Sequence, residues 1–295
     1  MFTELNSGKN LSGMENRNYT LHNLLTKTSR SQIFRAICQE DSKNVVIKTV
    51  DKHKYIVEFC ILQRVKSINC NYLIEMLDII SISETLVGIV FPLYSTNLLD
   101  YIVSTKQSPM HVLKRIITEV TTGIACLHSN DIVHLDIKLE NIMLDDSLTV
   151  KIIDFGYSEF MNGRKTLKRF CGSYSYVSPE QIQHQEYNPF KSDVWSLGIL
   201  IFAILCNYLP FSNSTGPEDV KQIFENICMC HIFVPSYVLP KAKDLLLKML
   251  NKTPELRITI NEVLLHPWLN ESKFELGNTL PIFLPLSNRK VSSMA

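Results

Sequence analysis

The stretch His134-Leu135-Asp136-Ile137-Lys138-Leu139-Glu140-Asn141 is followed, eighteen residues after Asp136, by Asp154-Phe155-Gly156. The first stretch contains a carboxylate, a lysine two residues later and an amide five residues later, and the second contains another carboxylate. Phosphoryl transfer needs a group that orients the attacking hydroxyl, a cation for the moving phosphate and oxygen ligands for magnesium. The two stretches therefore indicate phosphoryl transfer, and the alternative interpretation is a polar loop between a helix and a strand.

These stretches resemble the catalytic loop H-R-D-x-K-x-x-N and the D-F-G triplet of protein kinases, with Leu135 in place of the arginine. Lysine at position 138 is the serine/threonine-kinase form of that loop. The resemblance implies that Asp136 orients the substrate hydroxyl and accepts its proton, and that Lys138 steadies the transferred phosphate. It also implies that Asn141 and Asp154 hold Mg²⁺. The apolar runs beside these two residues predict short strands that end at the site.

The stretch 171–180, Cys-Gly-Ser-Tyr-Ser-Tyr-Val-Ser-Pro-Glu, resembles the substrate-docking segment C-G-T-x-x-Y-x-A-P-E of the same family. The resemblance implies that Ser173 bonds both Asp136 and Lys138. The Cys-Gly-Ser form is most similar to the calmodulin-dependent and checkpoint kinase branch. We call the segment from Asp154 to the glutamate at position 180 the activation segment.

Two structural motifs extend the resemblance over about residues 20–270. The stretch 193–198 is similar to the D-x-W-S-x-G start of the central helix, whose aspartate, here Asp193, braces the catalytic loop. Arg257 matches the arginine that pairs with the glutamate of A-P-E, here Glu180. A buried pair of this kind mainly fixes geometry.

Lys48 ends the strand-like run Val-Val-Ile-Lys, which resembles the V-A-I-K strand of protein kinases. Glu58 follows ten residues later on a predicted helix. The resemblance implies that Glu58 pairs with Lys48 and holds it against the α- and β-phosphates of ATP. The alternative interpretations are a solvated cation and a surface carboxylate.

The glycine-rich loop is where the chain departs from the family. The pattern G-x-G-x-x-G aligns with the stretch 26–31, which contains no glycine. Glycine lets backbone N–H groups approach a phosphate closely, whereas threonine and serine hold the loop farther away but offer hydroxyl donors. We therefore expect weaker nucleotide affinity or slower turnover. The expected nucleotide-binding residues, besides Lys48 and Glu58, are Thr26, Lys27, Thr28, Ser29, Ser31, Ile33, Val46 and Met143.

Both ends of the usual activation-segment phosphate switch are missing. In many kinases the arginine of the catalytic loop binds a phosphate on that segment, and Leu135 cannot do so. Relatives often carry the phosphoacceptor threonine two positions before the cysteine at 171, where this chain has Arg169. We therefore predict activity without phosphorylation of the activation segment, although Thr166 remains as an unrelated acceptor.

Composition limits the class of protein. Hydrophobic residues make up 45% and charged residues 20% of the 295 residues, as in ordinary globular proteins. The net charge of +1 favours neither nucleic acid nor an anionic membrane as the main partner. The apolar stretch 194–211 is shorter than the roughly twenty residues of a membrane span, and we interpret it as a buried helix.

Cysteine usage indicates the compartment. The eight cysteines lie mostly in apolar runs without a framework spacing, which predicts free thiols in a reducing cell. The stretch Cys-Met-Cys-His at 228–231 lacks a second ligand pair at zinc-finger spacing, so we predict no metal site there. The first ten residues show no signal peptide. We expect an intracellular protein, in the cytoplasm or nucleus.

The order of periodic segments predicts an α+β, bilobal, protein-kinase-like fold. We expect a disordered N-terminus over 1–18, a small β-rich N-lobe over 19–94, a larger helical C-lobe over 95–270 and a C-terminal tail over 271–295. Strands are predicted over 45–50 and 86–91. A helix is predicted over 55–65, from the spacing of Ile56, Phe59, Leu62 and Val65.

Two helices have recognisable ends. Ser108 and Pro109 predict the N-cap and first turn of a long helix that stops at 129–131. Its expected buried face consists of Leu113, Ile116, Ile117, Val120, Ile124 and Leu127. Thr259 and Glu262 form a capping box that opens a helix ending at 266–268.

Together these features predict a serine/threonine protein kinase that transfers the γ-phosphate of ATP to protein hydroxyls with Mg²⁺. Glu140 stands where the resemblance implies a glutamate facing a substrate arginine upstream of the phosphoacceptor, and its alternative interpretation is a solvated loop charge. We expect protein substrates, a monomer, and neither nucleic acid nor membrane as a partner. The alternative function is a pseudokinase scaffold, favoured by the glycine-free loop. A small-molecule kinase is disfavoured by the peptide-docking stretch 171–180.

Overall fold

A computed structural model of the chain describes residues 8–14, 17–28, 31–53, 55–105, 108–212 and 219–270. The predicted tail over 271–295 and Ser29 lie outside the described residues. Contacts between Cα atoms divide the described chain into two units. The first contains the residues up to 69 together with 74–95, and the second contains 70–73 and the residues from 96 onward.

Six strands form the sheet of the first unit: β1 (Asn10–Ser12), β2 (Asn18–Lys27), β3 (Ser31–Cys38), β4 (Asn44–Asp51), β5 (Asp78–Ser81) and β6 (Leu86–Pro92). Neighbouring strands are antiparallel in the order β1-β2-β3-β4-β6-β5. The strands predicted over 45–50 and 86–91 are confirmed as β4 and β6. Alternate residues of β3 and β4 are buried, so one face of the sheet forms a core.

Strand β1 connects the two edges of this sheet. It pairs with β2 on one side, and just after it Gly13 bridges to Ile80 of β5 on the other. A Cβ atom at Gly13 would lie 1.8 Å from a carboxylate oxygen of Asp78, so only glycine fits this close approach. The buried Asp78 carboxylate also accepts the hydroxyl of Tyr19 at 3.0 Å. The prediction of disorder over 1–18 is therefore wrong for Asn10–Ser12, because pairing on both sides orders this strand.

Helix α1 (Tyr55–Ile68) confirms the helix predicted over 55–65. Ile61, Leu62 and Val65 are buried, together with the carboxylate-bearing Glu58. Ile56, one of the four residues whose spacing indicated the helix, is 57% exposed and lies off the buried face. The face at spacing 58, 61, 62 and 65 puts a glutamate in the buried position of the first turn.

The second unit contains eight α-helices within its described residues: α2 (Leu98–Ser104), α3 (Met110–Ser129), α4 (Pro179–Ile182), α5 (Pro189–Cys206), α6 (Val220–Met229), α7 (Pro240–Met249), α8 (Ile260–Leu264) and α9 (Pro267–Asn270). The six apolar residues predicted to form the buried face of α3 are all buried. The predicted N-cap of this helix is wrong, because Pro109 is the capping residue and the Ser108 hydroxyl instead donates to the Tyr101 hydroxyl at 3.3 Å.

The capping box predicted at Thr259 and Glu262 is confirmed. The Thr259 N–H donates to Glu262 Oε2 at 2.7 Å, and the Thr259 hydroxyl accepts the Glu262 N–H at 3.4 Å. The helix that this box opens ends earlier than predicted, at Leu264. A separate short helix, α9, begins at Pro267, because proline cannot continue the hydrogen-bonding pattern of a preceding helix.

Helix α5 is the interior helix that the apolar stretch 194–211 predicts. Of the described helices, it alone is long and apolar enough to cross a membrane, and 89% of its residues are buried inside the protein. Its N-cap Asn188 accepts the backbone N–H groups of Phe190 and Lys191, and proline occupies its first position. Burial on all sides is what the central helix of a large helical unit requires.

Short strands position the functional loops of the second unit. They are β7 (Thr96–Asn97), β8 (Ile132–Val133), β9 (Ile142–Leu144), β10 (Val150–Ile152) and β11 (Glu159–Phe160). They form two sheets, one of order β10-β9-β7 and one of β11 with β8. The catalytic loop therefore runs from the end of β8 to the start of β9, and Asp154 follows β10 by two residues.

Candidate active site

Asp136, Lys138 and Ser173 form a closed triangle of polar contacts. Lys138 Nζ lies 2.8 Å from Asp136 Oδ2 and donates to Ser173 Oγ at 2.8 Å. The Ser173 hydroxyl donates to the other carboxylate oxygen of Asp136 at 2.8 Å. The three side chains are buried. The contacts expected of Ser173 are thus present, and they tie the stretch 171–180 to the catalytic loop.

Asn141 joins the same carboxylate. Its Nδ2 donates to Asp136 Oδ2 at 3.0 Å and to the Asp136 backbone oxygen at 2.8 Å. These two bonds identify the nitrogen side of the amide and direct its oxygen away from Asp136. The Asn141 backbone oxygen accepts the Ile153 N–H at 2.9 Å. Because Asp154 directly follows Ile153, this bond brings Asp154 close to Asn141.

The donor set of Asn141 and Asp154 fits Mg²⁺. An amide oxygen and a carboxylate are hard oxygen ligands, and Mg²⁺ in phosphoryl-transfer sites takes one or two carboxylates together with substrate phosphates. The backbone at Asp154 adopts the left-handed conformation with φ 64°, and Gly156 N donates to Asp154 Oδ1 at 3.4 Å. Among the described residues no group of three or more histidine, cysteine, aspartate or glutamate side chains forms a separate metal site.

The His134 ring accepts a hydrogen bond at Nδ1 and donates one at Nε2. The Asp136 N–H donates to Nδ1 at 3.2 Å, so Nδ1 is the acceptor. The other ring nitrogen, Nε2, lies 3.0 Å from the Ile153 backbone oxygen, to which it can only donate. The imidazole is fully buried and contacts Phe155 at 5.2 Å between ring centroids. This buried ring connects the catalytic loop to the residue before Asp154.

Asp193 braces the catalytic loop, as the resemblance implies. Its two carboxylate oxygens accept the backbone N–H groups of His134 and Leu135, both at 2.8 Å. These contacts support the left-handed backbone of Leu135, whose φ is 65°. His128 also contacts Asp193, with 2.9 Å between Nε2 and Oδ2. This role of His128 is not predicted from the sequence, where its only signal is a polar side chain in the last turn of an apolar helix.

Glu180 and Arg257 form the predicted buried pair. The two guanidinium nitrogens of Arg257 donate to the two carboxylate oxygens of Glu180 at 2.6 and 3.0 Å. The Arg257 guanidinium also lies 5.0 Å from the ring centroid of Trp195. A bidentate pair beside an aromatic ring fixes the end of the activation segment against α5.

In the first unit, Lys48 Nζ lies 2.7 Å from Glu58 Oε1, and the two side chains are 12% and 9% exposed. The predicted pair therefore forms. Strand β4 supplies the lysine, and the first turn of α1 supplies the glutamate, where the helix dipole favours an anion. Ile33 pairs in register with Lys48, and Val46 lies two residues before it, so these side chains share one face of the sheet.

In the stretch that replaces the glycine-rich loop, Thr28 and Ser31 are hydrogen-bonded to each other. The Thr28 hydroxyl accepts the Ser31 N–H at 3.1 Å, and the Thr28 N–H donates to the Ser31 backbone oxygen at 2.9 Å. Thr26 and Lys27 are exposed at the end of β2. Met143, the remaining residue of the predicted nucleotide-binding set, lies half-buried on β9 of the second unit. The contact of the Thr28 hydroxyl with Ser31 is not predicted from the sequence.

Glu140 carries a carboxylate oxygen, Oε2, that is buried and has no hydrogen-bond partner. Burial raises the pKa of this carboxyl, and the Lys138 ammonium opposes that shift. A buried oxygen without a donor is costly, and each such group calls for an explanation. A cationic ligand would satisfy it.

Comparisons with known proteins agree with this geometry. A family model described as the protein kinase domain matches residues 19–269. The SNF1-related protein kinase catalytic subunit alpha KIN12 of Arabidopsis thaliana is 30% identical over 275 residues, which cover 91% of this chain and 53% of that protein. The probable serine/threonine-protein kinase MARK-A of Dictyostelium discoideum is 32% identical over 237 residues, which cover 79% of this chain and 22% of that protein.

The chain belongs to the protein kinase family. The predicted fold class, a mixed α and β kinase fold with a β-sheet lobe and a helical lobe, is confirmed. The chain spans only 53% and 22% of the lengths of the two relatives named above.

Proposed function

We propose that this protein is a serine/threonine protein kinase that transfers the γ-phosphate of ATP to hydroxyl groups of protein substrates. The observation that carries the proposal is the closed set of contacts among Asp136, Lys138, Ser173 and Asn141. Such a set holds a carboxylate and an ammonium in fixed positions before substrate binds, which is how phosphoryl-transfer enzymes lower the barrier.

Asp136 orients the substrate hydroxyl and takes its proton as the hydroxyl oxygen bonds to the γ-phosphorus. The bond from that phosphorus to the bridging oxygen breaks, and ADP leaves. Lys138, 2.8 Å from Asp136, places its positive charge beside the phosphoryl group in transfer. Asn141 and Asp154 would hold Mg²⁺, which supplies charge neutralisation to the phosphates when bound.

Lys48, oriented by Glu58, holds the α- and β-phosphates of ATP in this proposal. The remaining nucleotide contacts are assigned to the predicted set of Thr26, Lys27, Thr28, Ser29, Ser31, Ile33, Val46 and Met143. Only the glycine-free loop favours a pseudokinase, whereas the buried Lys48–Glu58 pair retains the phosphate-binding cation. We therefore assign turnover, with ATP affinity reduced by the loop.

The proposed substrates are proteins with a basic residue upstream of the serine or threonine. The support is the buried, unpartnered Oε2 of Glu140, which an arginine of the substrate would satisfy. We also propose that the protein is a monomer, that it is located inside the cell and that it belongs to the calmodulin-dependent and checkpoint kinase branch. The proposed lobe boundaries are 19–94 for the N-lobe and 95–270 for the C-lobe.

A radiolabelled-ATP assay on a degenerate serine/threonine peptide library tests the proposed activity. We expect Mg²⁺-dependent transfer by the wild type, loss of transfer in Asp154→Ala and Asp136→Asn, and near loss in Lys48→Met. The exposed variant Lys43→Met, which changes another lysine of the same unit, serves as the control. Transfer by the wild type no greater than the Asp154→Ala background would establish the scaffold function instead.

A further inference from the structure

Leu135 holds the activation segment by apolar contact. The side chain is 5% exposed and belongs to a buried cluster that connects β8, the catalytic loop and the activation segment. The other members of this cluster are Val133, Tyr157, Met161, Leu167, Cys171 and Tyr187. Leucine offers no donor to a phosphate, so any charged contact that fixes the segment must come from elsewhere.

That charged contact is present at Glu159 on β11. Its Oε1 lies 2.7 Å from Nη2 of Arg164, and its Oε2 lies 3.8 Å from Nη2 of Arg169. The glutamate side chain is 22% exposed, whereas the two arginine side chains are about half exposed. One carboxylate thus stands between two arginines of the activation segment. We call these three residues the arginine clamp.

The backbone reinforces the arginine clamp. Arg164 donates to the Phe160 backbone oxygen at 2.6 Å and to the Met161 backbone oxygen at 3.1 Å. Arg169 donates to the Tyr157 backbone oxygen at 2.5 Å. An isolated exposed ion pair contributes little to stability. Here Arg164 is also bonded to two carbonyl groups and Arg169 to one, and arginines bonded to several acceptors hold a defined geometry.

The arginine clamp lies between two anchored parts of the second unit. Glu159 pairs in register with Val133, the last residue of β8, so its backbone is fixed directly before the catalytic loop. Arg169 lies four residues before Ser173, which bonds the catalytic carboxylate and lysine. Between them, Gly172 has φ 101°, and a Cβ atom there would lie 2.6 Å from the Leu135 backbone oxygen. The activation segment therefore passes directly over the catalytic loop.

We propose that Glu159 is a positioning residue that, through Arg164 and Arg169, holds the activation segment where Ser173 reaches the catalytic loop. Relative to the phosphate switch the charge at position 169 is reversed, because Arg169 stands where relatives carry the phosphoacceptor and its partner is a carboxylate on β11. The effect of the clamp on catalysis rests on the proposed kinase activity, whereas its effect on the order of the activation segment does not.

Limited proteolysis tests the structural consequence without any activity. Trypsin cleaves after Lys165 and Lys168, which both lie in the clamped segment and are exposed. In Glu159→Gln the segment opens more often, and we expect cleavage there to accelerate roughly two- to fivefold, the scale of a partly exposed ionic contact. The matched control is Glu186→Gln, which removes another acid bonded to the same segment, at Thr166, and leaves the clamp intact.

Steady-state kinetics test the positioning role. With a serine peptide carrying an upstream arginine as the probe, Glu159→Gln should lower the peptide kcat/KM roughly two- to fivefold and leave the KM for ATP unchanged. The double variant Arg164→Gln/Arg169→Gln should show the same two- to fivefold fall in peptide kcat/KM. Adding Glu159→Gln to that variant should lower kcat/KM no further, because the effects of substitutions that break one shared contact are not additive. Circular dichroism at the assay temperature confirms that each variant is folded.

The outcomes separate the clamp from the kinase activity. If the wild type transfers no phosphate but Glu159→Gln is cleaved faster than Glu186→Gln, the activity fails and the clamp stands as a structural contact. If Glu159→Gln matches Glu186→Gln in both cleavage and kcat/KM, the clamp is overturned. Additive losses in the combined variant would also overturn it, because Glu159 would then act independently of the two arginines.

Discussion

The Thr28 hydroxyl accepts the backbone N–H of Ser31 at 3.1 Å, so a side chain links two of the three positions at which protein kinases carry glycine. The backbone bond from Thr28 N to the Ser31 oxygen links the same two residues and does not depend on the side chain. Residues 28 and 31 are therefore joined in two ways, one of which survives a change to glycine at position 28.

This relationship leads to a prediction about ATP affinity. Replacing Thr26 and Thr28 by glycine should let the backbone approach the phosphates, while the backbone bond between positions 28 and 31 is retained. We expect ATP to bind more tightly by about 1 kcal/mol, roughly fivefold, the scale of one net hydrogen bond. Isothermal titration with ATP and Mg²⁺ measures this change.

The control for the loop is Thr28→Ala, which removes the hydroxyl without adding glycine. It should bind ATP more weakly than the wild type, because the contacts of the hydroxyl with Ser31 are lost and no closer approach of the backbone is gained. Unchanged or weaker ATP binding in the double glycine variant would show that the hydroxyls already serve the phosphates, and the prediction would be wrong.

The buried pair of Glu180 and Arg257 predicts a large loss of stability. Arg257→Gln leaves the Glu180 carboxylate buried without its cation, and removing one partner of such a pair costs about 3–5 kcal/mol. Chemical denaturation followed by circular dichroism should show this loss. Lys248→Gln, which breaks an exposed pair with Asp244, should cost no more than about 0.5 kcal/mol. Equal losses in the two variants would contradict the buried pairing.

Glu140 predicts a pH-dependent preference for arginine in the substrate. Burial raises the pKa of its carboxyl above the ordinary value of 4.5, and only the ionised form pairs with arginine. The preference should therefore be full above the raised pKa and fade as the pH falls through it. At neutral pH a charge-assisted pair is worth about 1.5–3 kcal/mol in kcat/KM for arginine over alanine at the third position before the serine.

Peptide arrays and kinetics at several pH values measure this preference. Glu140→Gln should abolish the discrimination and its pH dependence together, while activity on peptides without the arginine stays close to that of the wild type. Peptide arrays with the wild type that show no arginine preference would assign Glu140 to the alternative of a loop charge.

The features that the sequence predicts well are carried by local spacing. The strand that delivers Lys48 and the helix that delivers Glu58 are short periodic runs, and the residues of the catalytic loop stand within eight positions. The contact of Ser173 with Asp136 spans 37 residues, but the motif around it indicates the contact without any knowledge of the chain path. Local spacing and sequence motifs are therefore sufficient to predict these features.

The features that the sequence does not predict depend on distant partners. Strand β1 is ordered by pairing with β2 and by the bridge from Gly13 to Ile80, which no local pattern reports. Ile56 has the spacing of a core residue, yet the burial of Glu58 turns the helix so that Ile56 is exposed. Glu159 looks like a solvated charge until the path of the activation segment brings Arg164 and Arg169 to it.

The last prediction is that activity does not depend on phosphorylation of the activation segment. Leu135 is buried in an apolar cluster and offers no donor to a phosphate, and Arg169 occupies the usual acceptor position. The Thr166 hydroxyl already contacts Glu186 at 3.3 Å, and a phosphate there would face that carboxylate. Phosphatase treatment should therefore leave the specific activity of the recombinant protein nearly unchanged, and Thr166→Ala should match the wild type. Mass spectrometry before and after treatment establishes which residues carried phosphate. A loss of about tenfold, equivalent to about 1.4 kcal/mol in the barrier, in either experiment would show that another cation binds an activating phosphate.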